Sequence, residues 1–331
     1  MSKILGPQAN VDIIFDGKAH GNLASLLLNG EMDVRALRTN DTLKYDEWKE
    51  IDRAVMDISR RRLVVVNDLI SRGLVYRLTN ALGSTVFQYQ DASDMSAAEM
   101  SMAGEAMPTQ DRVEFDTNYL PLPIVHKAFK LNARVLAASR SGGQALDTYQ
   151  AQIAAKLVSE KIEEIFLTGA STYTFGGGVL YGFTDFTYAN TGSLTAAWTA
   201  SAADPVADIV AMKAASISDR HFGPWMVYIP TAYQTVLDED YVSGYPKTIR
   251  QRILEIEGIA GIKTADFLTA GKVVMVELQP ETVRAIHGMD PTVVEWETQG
   301  GMVLNYLVMA IIVPQLRADQ ANRSGIMVYS A

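Results

Sequence analysis

The residue types able to do chemistry in this 331-residue chain are four histidines, several adjacent carboxylates, one glycine cluster and one arginine run. His20, His126, His221 and His287 are scattered, and no His-x-x-x-His pair or zincin motif places two of them on one helix face. Gly176-Gly177-Gly178 is followed by no Lys-Ser/Thr pair and comes after a helical pattern rather than a strand, so a flexible turn is expected there and not a phosphate cradle. No Gly-x-Ser-x-Gly elbow occurs. Glu163-Glu164 fall in a helical stretch and Asp238-Glu239-Asp240 in a turn, where neighbouring carboxylates serve as solvated charges. Arg60-Arg61-Arg62 could meet phosphate, but such a run reads first as a solvated face or as a partner for carboxylates at a subunit boundary. The chain has no cysteine, which excludes a disulfide framework, a thiolate metal site and a cysteine nucleophile together. No catalytic, cofactor-binding or metal-ligating residue is assigned, and no cofactor is expected.

Composition narrows the classes further. With 48% hydrophobic and 20% charged residues, the chain can bury a large core and is not of disordered composition. The most apolar run, Met302–Val313, is interrupted by Asn305 and is too short to span a bilayer, so no membrane partner is expected. The opening MSKILGPQANVDIIFDG lacks a long apolar stretch and a small-residue cleavage site, so export is not expected and a reducing cytoplasm fits the absence of cysteine. The net charge of −9 argues against holding nucleic acid through its phosphates, which needs clustered Lys and Arg. A protein of this charge that lives near DNA encloses it or repels it.

The elements that would carry these residues are organised around Gln144–Gly169. Leu146, Tyr149, Ile153, Leu157, Ile162, Ile165 and Phe166, widened by Ala154 and Val158, recur in steps of three and four, which marks one apolar face of a helix. That face is expected against the protein's own sheet, with Lys156, Glu160, Glu163 and Glu164 turned to solvent or a neighbour. Gly169 stands where a left-handed C-terminal cap belongs. A helix of about 25 residues would be ~38 Å long, a beam by globular standards.

Before the beam, residues 1–45 are broken by Gly-containing turns and read as an arm, and Asp46–Arg72 reads as helix with a slip near the arginine run and a stop at Gly73. Thr85–Gln90, Val113–Tyr119 and Phe129–Val135 alternate with period two and read as strands. Between the first two lies a long tip, Asp91–Asp111, rich in Ser, Ala and Met. An isolated hairpin is marginal in water, and so long a tip is unusual inside a compact domain, so this arm is expected to pack on another subunit. It is acidic: Asp91, Asp94, Glu99, Glu105, Asp111, Glu114 and Asp116, with no lysine between Lys49 and Lys127. A neighbour receiving it needs basic residues, and Arg60-Arg61-Arg62 is one candidate.

After the beam, Thr187–Ala203 reads as loop. Asp204-Pro205 starts a helix running to about His221 with Val206, Ile209, Val210 and Ile217 inward. Trp225–Ile229 reads as a strand stopped by Pro230, followed by short helices near Thr231–Leu237 and Pro246–Glu257. Ile259–Lys263, Lys272–Leu278, Thr282–His287, Val293–Thr298, Met302–Val313 and Ile326–Tyr329 read as strands. The mixture is α+β, without the regular strand–helix alternation of a parallel α/β fold.

From Tyr119 to Gly182 the sequence resembles the shell proteins of the Hong Kong 97-type (HK97-like) fold, shared by tailed-phage major capsid proteins and encapsulins. The residues carrying the resemblance are LPLPIVHKAFKLNARVL, a Gly-Gly turn, the long helix ending in SEKIEEIFLTG, and the turn GGGVLYGF. The resemblance implies a division into an N-terminal arm (1–45), a helix leading into the peripheral domain (46–73) and an extended β-hairpin loop (74–135). It continues with a peripheral domain (136–199, spine helix 144–168), an axial domain (200–290) and return strands of the peripheral domain (291–331). The opening RTNDTLKYDEW resembles a phage capsid subunit more than an encapsulin. The implied function is a non-enzymatic major capsid protein. Its pentamers and hexamers would build an icosahedral virion shell around double-stranded DNA, assembled in the host bacterial cytoplasm with portal, scaffolding or decoration proteins as partners. Without a lysine in the loop, noncovalent clasping is expected rather than the cross-link some members make. A chain opening directly with an arm fits a separate scaffold or none. An encapsulin shell enclosing cargo protein is the alternative, and a soluble oligomeric enzyme a second one.

Overall fold

The computed structural model describes residues 51, 53, 55, 63–92, 100, 102, 112–113, 115–134, 149–241, 247–319 and 321–331. Two sheets form its body. In the first, β1 (Val75–Arg77), β11 (Val283–Thr298), β12 (Val303–Leu316) and β4 (Val125–Asn132) lie side by side in that order. The second runs β7 (Asn190–Ser193), β13 (Ile326–Ser330), β10 (Lys272–Glu277), β8 (Trp225–Ile229), β9 (Ile259–Thr264). Two hairpins stand beside them: β2 (Val86–Ala92) with β3 (Phe115–Pro121), and β5 (Ala170–Phe175) with β6 (Gly178–Leu180).

Helices α1 (Val64–Ser71) and α2 (Tyr149–Leu167) share one core with the four-stranded sheet. That core continues onto one face of the five-stranded sheet through Met226, Tyr228, Val274 and Val276. The alternate residues Val227, Ile229, Val273 and Met275 point the other way, into a second core with α3 (Pro205–Ser218) and Ile253 of α4 (Ile249–Leu254). The central strands β8 and β10 are therefore apolar on both faces, and their sequences, WMVYI and KVVMVE, show it.

Helix α2 ends at Leu167, and Gly169 adopts the left-handed φ of +74° expected of its cap. Residues 144–148 lie outside the described residues, as do the whole arm at 1–45 and the arginine run. The apolar face of α2 is rotated from the expected stripe. Ala151, Ala154, Ala155, Val158, Ile162 and Phe166 are buried, whereas Tyr149, Ile153 and Leu157 are exposed, as large apolar residues seldom are in a helix packed on its own sheet. In the first turns the contact face is displaced by about one residue position, ~100°, while Ala154, Val158, Ile162, Ile165 and Phe166 of the expected stripe stay inward. Small alanines at the contact let the helix axis lie close to β12 and β4, which the larger Tyr, Ile and Leu would hold apart. Glu163, expected outside, is buried by the same rotation.

Other expectations also shift. The helix expected over 46–72 is interrupted: Leu63 is non-helical (φ −83°, ψ 82°) and α1 starts after it. In α3, Asp204 accepts from the Ala207 amide as the expected N-cap, but Val210 and Ile217 are exposed while Val206, Ile209 and Met212 are buried. The inward face follows 206, 209, 212 and 216, and Asp208 sits within it. The two strands expected at 282–287 and 293–298 form one strand, β11, so the division expected at residue 290 falls inside it. It passes Gly288-Met289-Asp290-Pro291 through two register shifts against β12, the kind of irregularity where proline's missing N–H is tolerated. The last strand, β13, pairs with β10 and β7 in the five-stranded sheet. Within the expected loop at 187–203, β7 is a short strand, and its NTGS carries no apolar alternation to mark it.

Candidate functional site

Among the described residues no constellation of chemistry-bearing side chains dominates, so the site is built from the hairpin that leaves the body and from the buried charges that hold the body together. β2 and β3 pair antiparallel from Val86 opposite Pro121 to Ala92 opposite Phe115. The base of this hairpin is anchored to its own subunit. Leu120 and Leu122 are buried with Phe87 and Tyr89 against Ile165, Leu180, Ile311 and Val313. The Arg317 guanidinium donates to Asp91 Oδ1 at 2.8 and 3.0 Å and to the Gln90 carbonyl at 2.9 Å, and lies 5.8 Å from the centre of the Tyr89 ring. Asn118 Nδ2 donates to the other Asp91 oxygen at 2.7 Å. Burial, with the Asp91 charge second, pushes the Tyr89 pKa up to about 12, so its hydroxyl stays protonated and donates to the Leu316 carbonyl at 3.4 Å.

Gly176 and Gly177 make the turn between β5 and β6, with φ of +60° and +84°, so the expected turn is there. Its glycines also have a packing role. A Cβ on Gly178 would stand 2.1 Å from the Tyr119 carbonyl oxygen, so only glycine lets this turn lie against β3. Between the two hairpins and the end of β12 opens a cleft of about 500 Å³, lined by Tyr89, Asp116, Tyr119, Gly178, Tyr188 and Asn322 among others. Toward the tip the surface changes character: Phe115 is exposed, and Met100 and Met102 are fully so, while at the base Tyr119 is exposed beside the β5–β6 turn.

Two buried carboxylates join elements of the body. Glu163 on α2 accepts from the Val65 amide at 2.8 Å, placing its carboxyl at the N-terminus of α1, where Leu63 offers no side-chain cap. Burial raises its pKa to about 8 despite the α1 amides, which pull the other way, and the Asp68 charge adds to the rise. Among the described residues its Oε2 has no hydrogen-bond partner. Asp68, one turn along α1, accepts from the Tyr228 hydroxyl of β8 at 3.2 Å and pairs with Lys263 of β9. Burial, and next the Asp68 charge, drive the Tyr228 pKa well above its ordinary value. This chain ties α2 through α1 to the five-stranded sheet.

The three described histidines do not converge. His20 lies outside the described residues, His126 contacts the Ile124 carbonyl, and the nearly buried His287 pairs with Asp290 at 3.0 Å. His221 pairs with Glu277, which also accepts from the Gly223 amide at 2.9 Å and the Thr282 hydroxyl at 3.0 Å. Burial opposes the Glu277 charge, but these hydrogen bonds outweigh it and hold its pKa below the ordinary carboxylate value. Ser216 is nearby, yet its buried hydroxyl donates to the His221 carbonyl at 3.1 Å and accepts from Trp225 Nε1 at 2.9 Å. Both hydrogen bonds span the turn before β8, so this cluster shapes that turn. Asp238 pairs with Arg250, and Glu164 with Lys161, both at the surface. Among the described residues, no group of three or more His, Asp or Glu could hold a metal, and no helix is long and apolar enough to cross a membrane.

Sequence reasoning missed Arg317 and Glu163. Arg317 follows an apolar strand and lies 226 residues from Asp91, so no local pattern signals the pair. Glu163 carried a weak signal, being set among Ile162, Ile165 and Phe166.

The chain matches a family of unknown function, DUF6260, over residues 37–329. It is 26% identical over 223 residues to the type 1 encapsulin shell protein EncA of Myxococcus xanthus (strain DK1622), covering 66% of this chain and 69% of that protein. Its fold is similar to a virus-like particle protein from Pyrococcus furiosus, with a TM-score of 0.62 at 18% identity over 87% of this chain and 100% of the other. The capsid of Myoviridae phage XM1 is also similar, with a TM-score of 0.59 at 10% identity over 79% of this chain and 90% of the other. The mixed α+β architecture is thus the Hong Kong 97-type fold of phage capsid and encapsulin-like shell proteins.

Proposed function

The chain belongs to the DUF6260 family, and from its fold we propose that it is a structural protein that assembles into a closed shell: the major capsid protein of a tailed phage, forming pentamers and hexamers around double-stranded DNA. The observation that carries this reading is the hairpin. Its base is clamped by Arg317, and it leaves the body with exposed Phe115, Met100 and Met102 and a run of carboxylates. A side chain population of this kind has no use on a solitary subunit and suits an arm laid over a neighbour, with strength from many modest contacts. In this reading residues 1–45 are a second arm, 74–135 the extended loop and α2 the spine of a peripheral domain. The five-stranded sheet with α3 and α4 is then an axial domain whose tips meet around the symmetry axes. A net charge of −9 suits a wall that confines a polyanion without adsorbing it. Assembly takes place in the host cytoplasm, with portal, scaffolding or decoration proteins as partners.

The identity to EncA favours a second reading, a shell of the encapsulin type with protein cargo. One preparation separates them. Purified particles are viewed by negative-stain microscopy, treated with nuclease, opened and analysed for nucleic acid and co-purifying protein. Closed particles holding protected DNA support the capsid, and closed particles holding a stoichiometric second protein support the compartment. A monodisperse small oligomer without shells overturns both.

A further inference from the structure

The cleft of about 500 Å³ between the two hairpins and the end of β12 falls in the size range of small-ligand sites. Its walls are fixed by the body. Phe87 and Leu120 pack the hairpin base onto the core, Arg317 clamps β2, and the glycine turn of β5–β6 lies against β3. The cleft is therefore formed before any ligand arrives.

Two tyrosine rings are left open in it. Tyr188 is 44% exposed, yet its ring is set edge-to-face on the buried Phe186, with centres 5.6 Å apart and planes at 83°. Phe186 meets Tyr181 in the same manner at 5.9 Å and 71°, so the Tyr188 ring is buttressed from behind. Tyr119 stands beside Gly177, where even an added Cβ would come no nearer than 3.8 Å to its ring. A turn made of glycines leaves this ring 44% exposed. Tyr89, by contrast, is spent on its own subunit, between Phe87 at 6.3 Å and Arg317 at 5.8 Å.

The polar groups narrow the ligand further. Among the described residues that line the cleft there is no Lys, Arg or His, so a phosphate or carboxylate would meet no counter-charge. Of the three lining carboxylates, Asp91 is taken by Arg317 and Asn118, and Asp319 by the Arg323 side chain and amide. Among the described residues no group of three carboxylates or histidines could hold a metal. That leaves Asp116, exposed on β3, and Asn322, exposed in the turn after β12. A carboxylate accepts from neighbouring hydroxyls, and a carboxamide both donates and accepts. Open aromatic faces rimmed by such groups match a molecule with C–H faces and a rim of hydroxyls. A sugar ring is that molecule.

We propose that this cleft is a binding site for a neutral hexose oligosaccharide, with Tyr119 and Tyr188 stacked on sugar faces and Asp116 and Asn322 bonded to its hydroxyls. The assignment does not depend on the shell reading. In a shell, each copy would carry one such site, and weak binding at each would be multiplied on a surface that repeats the sugar.

The test titrates the full chain with maltotriose, cellotriose, chitotriose and mannotriose, and with spermidine as a cationic probe, by calorimetry and saturation-transfer NMR. Saturable binding of at least one trisaccharide is expected. Tyr119→Ala and Tyr188→Ala should each weaken it about three- to tenfold, the worth of one aromatic contact. Asn322→Gly keeps the left-handed turn, φ +60°, while removing the carboxamide, and should weaken it as well. All three positions are exposed, so the variants should melt as the parent does. Tyr173→Ala, on β5 outside the cleft and equally exposed, should bind as the parent does. Binding of none of the four trisaccharides, or of spermidine alone, overturns the assignment. So does sugar binding that survives both cleft tyrosine variants, or that Tyr173→Ala weakens as much. None of these outcomes bears on whether particles form, so the shell reading stands or falls separately.

Discussion

At the scale of single residues, the carboxyl of Glu163 has the clearest consequence. Its pKa of about 8 in the folded subunit stands above the 4.5 of an unfolded chain, so between those values the folded state holds more protons. Stability from this group is complete below pH 4.5 and is lost as pH rises towards 8, by up to about 4 kcal/mol. Urea unfolding of unassembled subunits at pH 5 and pH 8 should show that loss, and Glu163→Gln, which keeps an oxygen for the Val65 amide, should flatten it. Equal pH slopes in both proteins would refute the idea. Glu163→Ala differs, because it strips α1 of its cap, and should cost about 1–2 kcal/mol at any pH in this range. Arg317 makes a separate prediction. Its three hydrogen bonds hold Gln90 and Asp91, and charged hydrogen bonds of this kind contribute about 1.5–3 kcal/mol. Arg317→Ala should speed amide exchange in β2 while leaving β10 protected, and uniform exchange changes across both strands would argue against a local clamp.

Among the elements, α2 sets its alanines on the sheet and leaves Ile153 and Leu157 outside. In a shell these two side chains are interface material, since burying each is worth about 1.5–3 kcal/mol. Ile153→Asp with Leu157→Asp should therefore leave the melting temperature of the free subunit nearly unchanged and reduce particle formation. A large fall in the melting temperature would mean that the helix needs them for its own fold. The helix also shows where sequence patterning informs and where it stops. The helical end of the segment, its Gly169 cap and the alternation of β2 and β3 were legible because each depends on local spacing. The rotation of α2 was not, because apolarity ranks Ile and Leu above Ala while close packing on β12 and β4 selects Ala. The continuity of β11 was hidden by Gly288 and Pro291, which signal a turn until a bulge absorbs them. The Asp91–Arg317 clamp was out of reach for a third reason: nothing local marks a contact between residues so distant in sequence. What was legible of the candidate site was its hairpin and its charge, and what was not was the means of attachment.

For the whole molecule, the division of labour between an anchored base and a reaching tip can be tested by removing one and keeping the other. Ala92 and Phe115 are directly opposite in the hairpin, so residues 93–114 can be replaced by Asn-Gly, a two-residue loop whose backbone twist matches a tight antiparallel turn. This keeps Asp91 for Arg317 and Leu120 and Leu122 for the core, the contacts that hold the base within its own subunit. The subunit should therefore express, fold and melt as the full chain does. It loses most of the acidic run and both fully exposed methionines. If shell closure draws on arms that cross from copy to copy, the shortened chain should sediment as a small species under conditions where the full chain forms particles. Mixed with full-length subunits, it should poison closure in proportion to its share, because every shortened copy leaves one neighbour unclasped. Particles of normal size and stability from the shortened chain alone would mean that closure depends on the body-to-body contacts, and that the hairpin serves another purpose.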